Sequence, residues 1–136
     1  MKPESSVIFF PCTDLDETVC YYRDVLALPV YKLLPATVWF DCGSGYLAFV
    51  QYDDGRPLAS GACISFNLKD NAAVDAQYRL LKQTEGVLGL KAAPAMHPRF
   101  PVYSFFLSDP NGYTLEYQKV ADCPPTESGY IGTEQV

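Results

Sequence analysis

The sequence predicts an α+β protein made of two β-α-β-β-β modules, and three observations carry that prediction. A strand-like run followed by an Asp-capped amphipathic stretch occurs twice, with the caps Asp14 and Asp70 lying 56 positions apart. Each is followed by short aromatic and β-branched runs broken by Gly, Pro and Asn, not by further helical periodicity. The chain has 136 residues, 49% of them hydrophobic and 14% aromatic. A chain of that size buries about two-thirds of its unfolded surface, enough for one shared core.

The first module spans residues 5 to 56. Val7 to Cys12 reads as an apolar strand. Asp14 then caps a helix expected over 14 to 28, with Glu17 completing a D-x-x-E capping box. Leu15, Val19, Tyr22 and Leu26 recur at helical spacing, so one face of that helix is apolar. Pro29 stops it. Strands follow at Val30 to Leu33, Thr37 to Asp41 and Tyr46 to Gln51, the last two joined by Cys42-Gly-Ser-Gly45.

The second module spans residues 61 to 120. Cys63 to Leu68 is its leading strand, and Asp70 caps a helix with Val74, Tyr78 and Leu81 on one face. A weak strand near Val87 to Leu90, a Pro- and Ala-rich loop at 92 to 101, a strong strand Val102 to Leu107 and a last strand Tyr113 to Val120 complete it. Asp109-Pro-Asn-Gly112 turns the chain between these last two strands. In this alignment Gly112-Tyr113 answers Gly45-Tyr46. Residues 1 to 120 therefore form one domain. Residues 121 to 136, rich in Pro, Ser, Gly and Thr without periodicity, read as a tail.

Charge and composition exclude several partners. A formal net charge of −6 with no basic run argues against nucleic acid or an anionic membrane. No apolar run approaches the roughly 18 residues of a membrane span. The N-terminus lacks a signal-peptide layout, so a cytoplasmic location is expected. The five cysteines Cys12, Cys20, Cys42, Cys63 and Cys123 contain no C-x-x-C pair, and the single His97 completes no zinc site of ordinary spacing. They read as small buried hydrophobes of a reducing compartment, with a reactive thiol as the alternative. The spacing assigns no role to His97 or Arg99.

Two motifs point to a family. DLDETVCYYRDVLALPVYK, residues 14 to 32, resembles the helix-and-strand signature of the vicinal oxygen chelate superfamily, and SDPNGYTLEY, residues 108 to 117, resembles its C-terminal signature. That superfamily holds glyoxalase I, extradiol dioxygenases, fosfomycin-resistance transferases and bleomycin-resistance proteins. The resemblance covers residues 7 to 120. It implies an eight-stranded half-open barrel of two paired modules, frequently a homodimer, with a divalent metal held by the leading and last strands of each module.

That resemblance raises the question of Glu116, a carboxylate in an aromatic strand. Glu116 matches the C-terminal metal ligand. The other ligand positions are Val7, Cys63 and, by the Gly-Tyr alignment, Phe49. Val and Phe cannot ligate, so a metal-free site is expected, with a divalent metal at Glu116 as the alternative. Three readings of Glu116 stay open: a solvated structural residue, a ligand-facing carboxylate without metal, and a metal ligand. Strand alternation places Phe9, Phe49, Cys63, Ser65 and Glu116 on one interior face, extended by Trp39, Tyr103 and Phe105. An apolar lining with few polar points is the usual form of a small-molecule pocket. The expectation is a protein that binds a small aromatic or cationic molecule, as bleomycin-resistance proteins do. The alternative is a glyoxalase-like lyase or isomerase, or an extradiol-type dioxygenase, with Glu116 as metal ligand or general base.

Overall fold

A computed structural model of the chain describes residues 1 to 122. Module one runs β1 (Val7–Pro11), α1 (Leu15–Cys20), β2 (Val30–Leu34), β3 (Thr37–Asp41) and β4 (Tyr46–Val50). Module two runs β5 (Cys63–Asn67), α2 (Asn71–Lys82), β6 (Ala95–Met96), β7 (Val102–Ser108) and β8 (Thr114–Val120). The fold is α+β, with two four-stranded mixed sheets of matching order, β1-β4-β3-β2 and β5-β8-β7-β6. In each, the leading strand lies parallel to the last, and the remaining neighbours are antiparallel. All but the first two residues of the expected tail lie outside the described residues.

Both helices start where the sequence places them. The carboxylates of Asp14 and Asp70 accept from the N–H groups of Glu17 at 3.0 Å and Ala73 at 2.8 Å, filling orphan donors of the first turn. The first helix is not regular to residue 28, however. After Cys20 it widens into a π-turn over Tyr21–Val25, in which the Leu26 N–H reaches back to Tyr21 O at 3.0 Å. Two adjacent tyrosines thereby reach the module-two turn. Tyr21 Oη donates to Ser108 O at 2.6 Å, and Tyr22 Oη to Asp109 Oδ2 at 2.7 Å.

The Asp109-Pro-Asn-Gly112 turn is thus a joint between modules as well as a hairpin. Asp109 Oδ1 accepts from the N–H groups of Asn111 at 2.8 Å and Tyr113 at 2.9 Å. Asn111 Oδ1 accepts from Thr13 N at 2.9 Å, and Tyr113 Oη donates to Pro11 O at 2.5 Å. The Tyr113 ring lies 5.4 Å from Phe10 and 6.4 Å from Phe49. A single hydrophobic core runs through both modules, from Tyr22, Phe40 and Phe49 to Leu81, Phe105, Leu115 and Tyr117.

Two weaker expectations change. The strand expected near 87 to 90 is only a bridge between Leu88 and Ser108. Gly89, at φ +68, passes so close to β7 that a Cβ there would lie 2.9 Å from Ser108 Cβ, so the chain can touch β7 but not run along it. The loop expected at 92 to 101 contains the two-residue β6, and within it His97 Nδ1 accepts from the N–H groups of Arg99 and Phe100. His97 organises a turn.

Candidate functional site

Each sheet has one face covered by the helices and one open face. In sheet two, α2 packs on β7 and β8, and Ile64, Phe105, Leu107, Leu115 and Tyr117 are buried beneath it. The ring of Phe105 lies 5.4 Å from Tyr78 of α2, and Tyr103 Oη donates to Asp75 Oδ1 of the same helix at 2.5 Å. Phe105 and Tyr103 therefore face α2, not an open cavity. Phe106 is the aromatic residue of β7 that lies opposite Glu116, and it is 46% exposed.

The structure does bring Cys63, Ser65 and Glu116 together. Ser65 pairs with Glu116 across the parallel β5–β8 ladder. Its Oγ donates to Glu116 Oε1 at 2.5 Å and lies 3.7 Å from Cys63 Sγ. Glu116 is only 9% exposed although it sits on the open face. Next along the ladder, Gln118 Nε2 donates to Asn67 Oδ1 at 2.9 Å. Loss of solvent pushes the Cys63 thiol up, and the Glu116 charge adds to this against the opposing hydrogen bond from Ser65.

In module one, Phe9 and Trp39 share the open face, their rings edge-to-face at 5.7 Å. Phe49 does not join them. It is fully buried on the helix side against Tyr22, with centroids 4.7 Å apart. The error is a slip of one residue. The Asp109 carboxylate captures the Tyr113 N–H inside the turn, so β8 begins at Thr114, which answers Tyr46. The residue answering Glu116 is Ala48, paired with Phe9 as Glu116 is paired with Ser65.

This correction sharpens the metal question. At the two module-one positions answering Ser65 and Glu116 stand Phe9 and Ala48, which offer hydrocarbon only. Among the described residues no three His, Cys, Asp or Glu side chains form a group that could hold a metal ion. One carboxylate with a hydroxyl and a single thiol beside it offers too few ligands for a divalent cation.

A cleft of about 640 Å³ opens between the leading strands β1 and β5. It takes Cys63 and Ser65 from the predicted residues and adds Ile8, Phe10, Tyr46 and Gln77, which sequence reasoning did not single out. Its lining does not include Phe9, Trp39 or Glu116. Alternation alone could not reveal residues contributed by strand edges.

Residues 6–117 match the model of the Glyoxalase/Bleomycin resistance protein/Dioxygenase superfamily, and the chain belongs to that family. Among solved structures it is similar to a glyoxalase/bleomycin resistance protein/dioxygenase from Nocardioides, at 18% identity and TM-score 0.71, covering 91% of this chain and 87% of that one. It is also similar to one from Alicyclobacillus acidocaldarius, at 22% identity and TM-score 0.70 over 88% and 92% of the two chains. A lactoylglutathione lyase from Agrobacterium tumefaciens matches at 25% identity and TM-score 0.67 over 87% and 95%. A search of curated protein sequences finds no match. No helix among the described residues is long and apolar enough to cross a membrane.

Proposed function

We propose that this chain is a metal-free, small-molecule-binding member of its family, which sequesters an aromatic or cationic molecule with Glu116 as counter-charge. The observation that carries the reading is the pairing at Glu116. A covered carboxylate on an open sheet face has Ser65 as its hydrogen-bond donor, and its counterpart in the other module is Ala48. A covered charge is costly to keep unless something compensates it, and a ligand cation would do so. Elemental analysis after dialysis tests the metal-free part. One equivalent of divalent metal per chain, lost on Glu116→Ala, overturns it.

A second reading has its own support, in the short Ser65–Glu116 hydrogen bond and the lyase from Agrobacterium tumefaciens among the structural relatives. In it Glu116 is a general base removing a proton next to a carbonyl. Turnover of lactoylglutathione, abolished by Glu116→Gln, would favour this reading over sequestration.

The working form we propose is a homodimer. Phe9 and Phe106 are 45% and 46% exposed on the two open faces, apolar surface that a second copy would cover. Sedimentation equilibrium giving a monomer would refute this. Cys12, Cys20, Cys42 and Cys63, which form no disulfide among the described residues, suit a reducing, cytoplasmic setting, and the acidic charge disfavours nucleic acid or an anionic membrane as partner.

A further inference from the structure

The open face of module one carries a second chemical feature, which does not involve Glu116. Strand β2 pairs with β3, but its register shifts between Val30 and Lys32. In an unbroken strand the consecutive Tyr31 and Lys32 would point to opposite faces. Here both reach Trp39. The Tyr31 ring stacks near it at 6.3 Å and 28°, and Lys32 Nζ lies 5.0 Å from the indole centroid. A bulge re-aims a side chain in this way, and bulges of this kind are concentrated beside functional sites. Tyr46 closes the group from β4, 4.4 Å from Tyr31, and Tyr46 also lines the cleft between β1 and β5.

Two polar groups in this aromatic cluster lack partners. Trp39 Nε1 is covered yet has no hydrogen-bond acceptor, a rare and unfavourable state for a buried donor. Lys32 has no carboxylate within ion-pair distance among the described residues. The acid nearest along β3, Asp41, turns its Oδ1 to the Gly43 N–H at 2.8 Å. A cation would meet Lys32 where the ammonium already occupies the ring face. An anion would meet an unpaired ammonium. Flat apolar area to stack on is also at hand, with Phe9 45% and Tyr31 50% exposed.

We propose that the Tyr31–Lys32 bulge, Trp39, Tyr46 and Phe9 form a subsite for a planar aromatic anion, with its carboxylate on Lys32 and its ring against the aromatic cluster. The subsite goes beyond the Glu116 reading and rests on other residues, on the other sheet. Because Trp39 is the only tryptophan in the chain, its indole N–H gives a single resonance in a ¹⁵N-correlated NMR spectrum. That resonance is followed while the ¹⁵N-labelled protein is titrated separately with 2-naphthoate, 2-naphthamide and 2-naphthylmethylammonium. Naphthoate is expected to shift it saturably and to bind about tenfold tighter than either other probe. Lys32→Met should erase that preference, Lys32→Arg should restore it, and Glu116→Gln should leave naphthoate affinity within about twofold. The proposal is overturned if naphthamide or the ammonium binds as tightly as naphthoate, or if the indole resonance does not move. If Lys32→Met leaves naphthoate affinity unchanged, the anion subsite is wrong, while loss of 2-naphthylmethylammonium binding in Glu116→Gln would still support the Glu116 reading. Should Lys32→Met fail to fold, the three probes on the wild-type protein still decide.

Discussion

Replacing Asp109 should separate the joint between modules from the rest of the fold. The carboxylate is 3% exposed and accepts from the Asn111 and Tyr113 backbone N–H groups, from Tyr22 Oη and, at 3.2 Å, from Asn111 Nδ2. Asp109→Ala removes every one of these acceptors at once. A buried donor left unpaired costs about 1–3 kcal/mol, and two are left in the interior, the Tyr113 N–H and Tyr22 Oη, with the Asn111 donors half-buried beside them. Partial relaxation and the relief of a buried charge offset part of that, so the expected loss is about 3–5 kcal/mol. Asp109→Asn keeps one oxygen for the two backbone donors and disturbs only the Tyr22 side, at a cost of about 1–2 kcal/mol. Urea denaturation followed by both fluorescence and circular dichroism gives these values, provided the two probes coincide. A cycle with Tyr22→Phe then isolates the Tyr22–Asp109 term, expected at about 1 kcal/mol. If Asp109→Asn costs as much as Asp109→Ala, the charge and not the hydrogen-bond geometry matters. If Asp109→Ala costs under about 1 kcal/mol, the joint is not what holds the modules together.

Other perturbations follow from equally local features. Ala27 and Ala36 sit at φ +60 and +56, where a Cβ is strained, so Ala27→Gly and Ala36→Gly should each stabilise by about 0.5–1 kcal/mol in the same urea assay. Burial pushes the Tyr117 hydroxyl up to about 12, against an opposing hydrogen bond with Gln77. The folded state therefore keeps a proton that the unfolded chain releases near pH 10, and stability is complete below about pH 10 and falls as pH rises toward about 12. Tyr117→Phe should flatten that fall, read as urea midpoints across the alkaline range. At Cys63, whose thiol is pushed up by desolvation and then by Glu116, iodoacetamide labelling mapped by peptide mass should be slower than for a free thiol. Labelling should quicken in Glu116→Gln, and a rate indifferent to that change would refute the cluster geometry.

Features set by neighbours in sequence were legible before the structure. The helix starts at Asp14 and Asp70 each need only a carboxylate three residues before a free N–H, together with an apolar period. The side of β8 on which Glu116 lies, and its grouping with Ser65 and Cys63, followed from alternation. Register was harder to read. Matching Gly112-Tyr113 to Gly45-Tyr46 misplaced one residue, because a tertiary contact, the Asp109 carboxylate on the Tyr113 N–H, decides where β8 begins. A slip of one exchanges the faces, and so Phe49 was drawn from the core into the site. The doubled aromatic of β7 hides its parity in the same way, since Phe105 and Phe106 are equally apolar and only the position of α2 tells them apart. The Tyr31–Lys32 bulge and the π-turn at Tyr21–Val25 leave no local mark, because both are settled by what the side chains meet across the fold.

The central claim, that Glu116 is kept for a ligand and not for the fold, is tested most directly by comparing wild type and Glu116→Gln in two measurements. These are unfolding in urea and calorimetric titration with 2-naphthylmethylammonium. Gln keeps an oxygen for the Ser65 hydroxyl, so the loss of a charge-assisted hydrogen bond and the relief of a covered charge oppose each other. Stability should then stay within about 1 kcal/mol of wild type. Cation binding should weaken by about 1–3 kcal/mol in the same variant. A variant that loses more than about 2 kcal/mol of stability while binding the cation unchanged would contradict it, and would make Glu116 a structural residue.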